Sequence, residues 1–264
     1  MLSDALDALP PITLEEMDSV KLLNRTDTKY LTTLPVLERI LLRAAACGYR
    51  ALETEGTKHA PYDSIYFDTP DLRMFTDHRN RKLVRQKVRT RVYLNSGLTF
   101  LEIKRKNNHG RTKKKRMAIP AGEFHDFRTD AEACNYLSAK SFFKAEEIAP
   151  AMETAFSRIT LVNAALTERL TIDLDLRFRN LRNGREVDLG DGVIIELKQD
   201  GRADSRMKRI LLDLRVKPFR ISKYCVATAM TDPRCRPGRF KLKLIKMQKI
   251  IHKPLLCTEN SLLQ

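Results

Sequence analysis

The sequence predicts one α+β domain in which antiparallel strands close on themselves and helices cover the outside. Four stretches alternate charge with hydrocarbon at a period of two: Lys87 to Tyr93, Phe100 to Lys106, Arg169 to Arg177 and Val193 to Lys198. Successive strand side chains point to opposite faces, so Lys87, Arg89 and Arg91 share one face while Val88 and Val92 take the other. One such strand is explained by a sheet with a wet side. Four of them, carrying inward carboxylates as well, point to a cavity lined with cations. Closure removes exposed edges and lets the apolar face bury against helices. A lining of this kind suits a polyanion and a metal ion.

Each element has its own signal. Thr13-Leu14-Glu15-Glu16 has capping-box spacing, and the pattern through Leu23 supports a short opening helix. Arg25, Asp27 and Lys29 recur at every second position before Tyr30, a fifth strand with charge on one face. Leu37, Ile40, Leu41 and Ala44 follow at helical spacing, with Gly48 where the helix stops. Tyr62 to Asp68 reads as a strand ended by Thr69-Pro70, and Asp71 to His78 as a short helix. Lys82 to Leu94 and Leu98 to Lys106 form a hairpin around Asn95-Ser96-Gly97, and Thr112 to Ile119 adds a third strand. Residues 123 to 155 read as helical. Alternation resumes from Phe156 to Phe178, broken around Asn163 to Thr167, and again from Val187 to Lys198; Ala203 to Leu214 is a further helix. There is no fixed-period repeat and no low-complexity linker.

With 264 residues, 49 of them Lys or Arg against 33 Asp or Glu, the chain carries a net charge of +16, which attracts anionic partners. Trp is absent and aromatic residues make up 7%, too few stacking platforms for a nucleic-acid partner to be expected. Cys47, Cys134, Cys225, Cys235 and Cys257 form no C-x-x-C pair, so neither a disulfide framework nor a zinc site is indicated, and a reducing cytoplasm fits. Met1 to Val20 is acidic, lacks a long apolar run and does not look like a signal peptide, and no segment is long enough to span a bilayer. A cytoplasmic location is expected, with the inner face of a membrane, beside a membrane-associated partner, as the variant of it. The basic stretch from Arg234 to Lys253 mixes Phe240, Leu242, Leu244, Ile250 and Ile251 with Lys and Arg; covering the barrel is favoured over touching acidic lipid.

No G-x-x-x-x-G-K-[ST], H-E-x-x-H or G-x-S-x-G occurs, so phosphate must be held by side chains. Arg25-Thr26-Asp27-Thr28-Lys29-Tyr30, Ile65-Tyr66-Phe67-Asp68-Thr69-Pro70, Lys87 to Tyr93, Phe100 to Lys104, Ile194 to Lys198 and Ser222-Lys223-Tyr224 resemble, in that order, the VTC domain. This is the catalytic domain of the vacuolar transporter chaperone, a polyphosphate polymerase among the CYTH-like triphosphate tunnel metalloenzymes. The resemblance runs from about Leu23 to Ala229; the whole chain, 1–264, is read as one such domain with its core at about 23–230 and a basic tail at 234–264. It implies an eight-stranded antiparallel tunnel holding ATP and polyphosphate or tripolyphosphate, with Mn2+ or Mg2+ at an acidic patch. Carried over by motif, Lys29, Arg89, Arg91, Lys104, Lys114, Arg116, Arg158, Arg169, Lys198, Ser222 and Lys223 would bind phosphate, with Arg220 beside Lys223. The resemblance makes Arg89, Arg91, Lys104, Arg169 and Lys223 the expected catalytic set. Glu196 would be the principal metal ligand and Glu102 a second candidate. Tunnel triphosphatases carry E-x-E-x-K where this chain has Arg25-x-Asp27-x-Lys29, which favours the polymerase branch and argues against a metal on that strand.

Plainer readings stand beside these. The plain alternative for Lys87, Arg89 and Arg91 is a solvated sheet face, disfavoured because the opposite face is apolar and the same pattern recurs. Glu102 and Lys104 would neutralise each other across the sheet, and Asp173 and Asp175 would pair with Arg169 and Arg177 on their own face. Lys113 to Arg116 would be a solvated hairpin, of which alternation sends only Lys114 and Arg116 inward. Lys58, His59, Arg79 and Arg81 are read as surface residues. For function, the alternatives to polymerisation are hydrolysis of tripolyphosphate or nucleoside triphosphate on the same scaffold, and a non-catalytic module for polyphosphate or inositol phosphates.

Overall fold

The structure, a computed structural model, describes residues 1–18, 25–201, 204–235 and 238–255. In chain order its first half comprises α1 (Leu2–Asp7), β1 (Pro11–Ile12), α2 (Leu14–Asp18), β2 (Arg25–Thr33), α3 (Leu34–Ala46), β3 (Arg50–Leu52), β4 (Ala60–Asp68), α4 (Arg73–Arg79), β5 (Arg85–Tyr93), β6 (Thr99–Lys106) and β7 (Thr112–Ala118). After short 3-10 turns come α5 (Ala131–Lys140), β8 (Ala149–Val162), β9 (Glu168–Asn180), β10 (Glu186–Asp188), β11 (Gly192–Asp200), α6 (Arg206–Asp213), α7 (Lys223–Thr231) and α8 (Arg239–Ile251). The helix expected after Thr13 is α2, preceded by α1, and it is capped as its spacing predicts, Thr13 N donating to Glu16 Oε2 at 2.9 Å and Glu16 N to Thr13 Oγ1 at 3.3 Å. Its expected extension to Leu23 lies outside the described residues.

Eight strands run in the order β2-β11-β9-β8-β4-β5-β6-β7, every neighbour antiparallel, with β1, β3 and β10 attached at the side. The expected closure into a barrel is not made: β2 and β7 are the two ends of the path and do not pair. The outer edge of β2 is taken instead by the segment before α7, where Tyr30 bridges Pro218 and Phe219 N donates to Lys29 O at 2.6 Å. At the other end β7, with Lys113, Lys114 and Lys115 in sequence, is exposed almost throughout, a lysine-rich edge that discourages further pairing.

Apolar alternates pack outward. Leu170, Ile172, Leu197, Ile159 and Leu161 meet Leu37, Ile40 and Leu41 of α3 and Met207 and Leu211 of α6. Val88, Ile103, Leu101 and Ile65 meet Phe127 and, from α5, Leu137. Pro35 in the first turn of α3 supplies a φ already suited to the helix, whose apolar stripe is the one its spacing predicts. Burying such a Leu or Ile contributes about 1.5–3 kcal/mol, which fixes strand parity and hence which side chains face the other way. On that other face α7 and α8 cover only part: Leu31, Ile194, Leu176 and Phe178 pack against Tyr224, Phe240, Leu244 and Met247, so the basic carboxy-terminal stretch covers the sheet through its apolar side.

Two irregularities change the expected faces. Residues 149–155, expected to be helical, are the first half of β8. The β8–β9 register slips between Ala155 and Ser157, opposite Asp175, which sits at φ 54°. Asp tolerates the left-handed region better than most residues, and the slip acts as a bulge. Asp175 and Arg177 are therefore exposed, and neither shares the face of Asp173.

Candidate functional site

The uncovered part of the inner face gathers the charged alternates. Cross-strand partners place Lys29 beside Glu196, Lys198 beside Arg169, Arg158 beside Asp173, Arg89 beside Glu102, and Lys87, Lys104 and Lys114 in one row. Strands distant in sequence thus contribute to one surface.

Its carboxylates are each held by cations. Arg89 donates through Nε at 2.8 Å and Nη2 at 2.6 Å to Glu102 Oε2, and Lys114 meets Oε1. Arg158 binds Asp173 with a two-point fork, 2.6 Å and 2.9 Å, while Lys223 at the start of α7 reaches Oδ2 of the same carboxylate. Burial raises the Glu102 and Asp173 carboxyls, but Arg89, Arg91 and Lys114 for the first and Arg158 and Lys223 for the second outweigh it, leaving both well below the carboxylate range. Glu196 is held more loosely. Lys198 lies 3.3 Å and Lys29 4.0 Å away, and its side chain is 24% exposed where that of Glu102 is 0%. Burial raises the Glu196 carboxyl too, and Lys29, Lys198 and Lys104 bring it down to about 2.

The cations differ in how far they are neutralised. Arg91 is buried, donates through Nε to Ser64 Oγ at 2.9 Å, and lies over the rings of Tyr62 at 5.1 Å and Phe156 at 5.4 Å, with no carboxylate partner among the described residues. Burial, then Arg89 and Arg158, hold its guanidinium down at about 10. Lys104 is exposed on the sheet surface, and Arg89 first, then partial desolvation, hold it well below the ordinary lysine value. Burial brings Lys223 down to about 8, with Asp173 opposing and Arg158 assisting. Ser222 caps α7, accepts Cys225 N at 3.4 Å and accepts Lys87 Nζ at 2.6 Å, so it ties the helix to the cation row. Arg116 is exposed and lies over Phe100 at 4.7 Å. Arg220 is exposed just before α7. The Arg25 side chain lies outside the described residues.

Sequence reasoning missed the aromatic part of this face. Phe156, Tyr62, Tyr93 and Phe100 form a chain with ring centroids 5.5, 4.8 and 5.7 Å apart, and Arg91 and Arg158 both lie over Tyr62 and Phe156. The available signal was Tyr62-x-Ser64-x-Tyr66, alternates on the strand paired with Arg91 and Arg89.

Among the described residues no group of three or more His, Cys, Asp or Glu side chains stands ready to hold a metal ion. A Mg2+ or Mn2+ that takes most of its oxygens from phosphate and water needs one or two carboxylates. Glu196, accessible and loosely paired, fits that requirement. Glu102 does not, because a cation there would have to displace Arg89 and Lys114 from a fully buried carboxylate.

An α+β protein with an open antiparallel sheet, one apolar face covered by helices and a cation-rich opposite face covered only in part is the class that fold and site define. The chain belongs to the VTC domain family, which matches residues 24–231. No curated protein matches it. Among solved structures it is similar to a proposed adenylate cyclase from Vibrio parahaemolyticus, at 10% identity over 75% of this chain and 94% of that one with a TM-score of 0.44. A Hippeastrum protein described as having a dominant triphosphatase activity gives 13% identity, 77% and 96% coverage and a TM-score of 0.47. A Pyrococcus horikoshii protein gives 14% identity, 85% and 98% coverage and a TM-score of 0.42. No helix among the described residues is long and apolar enough to cross a membrane.

Proposed function

We propose that the chain is a metal-dependent polyphosphate polymerase that transfers the γ-phosphoryl group of ATP to the end of an inorganic polyphosphate chain. The observation that carries the reading is the convergence of Arg89, Arg91, Lys104, Arg158 and Lys223 with the loosely paired Glu196 on one sheet face of a VTC-family chain. A terminal phosphate oxygen attacks the γ-phosphorus, the bond to the β–γ bridging oxygen breaks, and ADP leaves with the electron pair. The nucleophile is already an oxyanion, so no strong base is required, and positioning and charge neutralisation supply the catalysis. Arg91 and Lys104, with no carboxylate ion pair among the described residues, are the groups best placed to neutralise phosphate, with Lys29, Lys198, Arg169 and Ser222 extending the track and Lys114 and Arg116 at its exposed rim. Glu196 would hold the Mn2+ or Mg2+, which when bound neutralises charge on the phosphate oxygens.

Incubation of the purified chain with ATP and Mn2+ or Mg2+, followed by product analysis, tests this directly. Long polyphosphate with ADP is expected; release of free phosphate would favour the hydrolase, and binding without turnover the non-catalytic module. Arg91→Ala should weaken tripolyphosphate binding by about ten- to a hundred-fold, the range for a lost charge-assisted hydrogen bond. Calorimetry across a salt series checks it: the wild-type affinity should fall steeply with salt, and the variant less steeply. Equal affinities would mean that Arg91 does not face the ligand.

A further inference from the structure

The stretch Ile65-Tyr66-Phe67-Asp68 at the end of β4 sends its side chains to different surroundings. Phe67 packs into the outer core, and Asp68 accepts the Tyr224 hydroxyl together with Met74 N at 2.8 Å and Phe75 N at 2.9 Å, tying α4 to α7. Tyr66 faces the other way, into the cations. It is 7% exposed, its ring stacks on Tyr224 with centroids 5.2 Å apart at 19°, and its oxygen accepts a hydrogen bond from Arg89 Nη1 at 2.9 Å.

What surrounds that hydroxyl is a nest of donors. From β5 come Lys87, Arg89 and Arg91, and from α7 comes Lys223; on β8 the cross-strand partner is the apolar Met152. The nearby carboxylates are engaged elsewhere, Glu102 by Arg89 and Lys114, Asp173 by Arg158 and Lys223, and Asp68 by Tyr224 and the backbone of α4. A phenol that accepts from Arg89 still has its own proton to donate, and among the described residues no acceptor takes it. A buried donor left without an acceptor is costly, and only an anionic oxygen would be drawn into such surroundings.

We propose that the Tyr66 hydroxyl is a ligand-contacting group of this groove, accepting from Arg89 while donating its proton to a non-bridging oxygen of the bound phosphate chain. The inference rests on the reading of the groove as a phosphate site. The electrostatics agree with it: burial raises the phenol, but Arg89, Arg91, Lys87 and Lys223 more than offset this and bring it down to about 8. The neutral phenol, present below that value, donates to phosphate. The phenolate, formed as pH rises through it, has lost the donor and gained a negative charge, so binding weakens in that direction. By linkage, bound phosphate raises the phenol in turn.

Two measurements on the purified chain test this. In calorimetry with tripolyphosphate at about pH 7, Tyr66→Phe, which keeps the ring and its stacking, should bind about ten-fold more weakly than wild type. Lys223 titrates in the same window, so the phenol is followed separately by its ultraviolet difference spectrum. Tyr30, Tyr49, Tyr62, Tyr136 and Tyr224 are all pushed upward by burial, and the step near 8 is assigned to Tyr66 by comparison with Tyr66→Phe. That step should be missing in Tyr66→Phe and should move upward when tripolyphosphate is added to wild type. Tight wild-type binding with an unchanged affinity in folded Tyr66→Phe, or a step indifferent to tripolyphosphate, overturns the role of Tyr66 alone. Failure of wild type to bind tripolyphosphate at all removes the phosphate reading and this inference with it.

Discussion

Glu196→Gln should leave tripolyphosphate binding unchanged or tighter while ATP-dependent chain synthesis falls by about three orders of magnitude, the scale expected when several kcal/mol of metal-supplied charge stabilisation is lost. The two effects separate because Glu196 is a carboxylate among cations. It repels phosphate, so its neutralisation frees Lys29 and Lys198, which it now engages at 4.0 Å and 3.3 Å. The same carboxylate is the one with exposure and loose enough pairing to take a divalent ion. Gln keeps the shape and deletes the charge. Arg91→Ala, by contrast, should weaken binding and synthesis together. The check is a pair of assays on one preparation, calorimetry with tripolyphosphate and product analysis at low Mn2+ or Mg2+. Full synthesis by Glu196→Gln under those conditions would place the metal elsewhere, with Asp173 or Glu102 next in order, at the expense of their present arginine partners.

Much of this surface was legible because strand parity is a local property. Val88, Ile103, Leu170 and Leu197 are buried on the outer face as the period-two pattern predicts, which obliges Arg89, Lys104, Arg169 and Glu196 to share the other. What the pattern could not supply depends on contacts remote in sequence. Lys223 finds Asp173 across 50 positions, and nothing in either stretch announces the other. The bulge opposite Asp175 shifts the face of every later residue in β9, so Arg177 leaves the site although its spacing from Asp173 is even. Closure failed for a similar reason: alternation describes the faces of strands, whereas the edge of β2 is filled by Pro218 and Phe219 from a loop that carries no strand signal. Low aromatic content likewise hid the fact that Phe156, Tyr62, Tyr93 and Phe100 are spent on one patch beside Arg91 and Arg158.

Glu102→Ala should cost the fold about 3–5 kcal/mol, the range for removing one partner of a buried ion pair, and lower the melting temperature by roughly 10 °C. The carboxylate is fully buried and neutralises both Arg89 and Lys114; without it those cations face Arg91 and Lys104 uncompensated. Part of that loss is charge and part is packing, and a polyanion tells them apart. Tripolyphosphate should raise the melting temperature of Glu102→Ala more than that of wild type, because phosphate returns the missing negative charge, whereas a packing defect gains nothing extra. At a hundred times its dissociation constant the ligand contributes about 2.7 kcal/mol to either protein, so only the excess is diagnostic. The pH dependence runs in the matching sense. Glu102 and Asp173 sit well below the ordinary carboxylate value when folded, so their stabilising effect is complete above the unfolded value of about 4 and is lost as pH falls through it toward the folded ones. Wild type should therefore lose stability steeply in acid, and Glu102→Ala less steeply, since one of the two carboxylates is gone. Parallel acid limbs in thermal melts would mean that Glu102 is not the charge that holds the cation row together, and that Asp173, gripped by Arg158 and Lys223, carries that load alone.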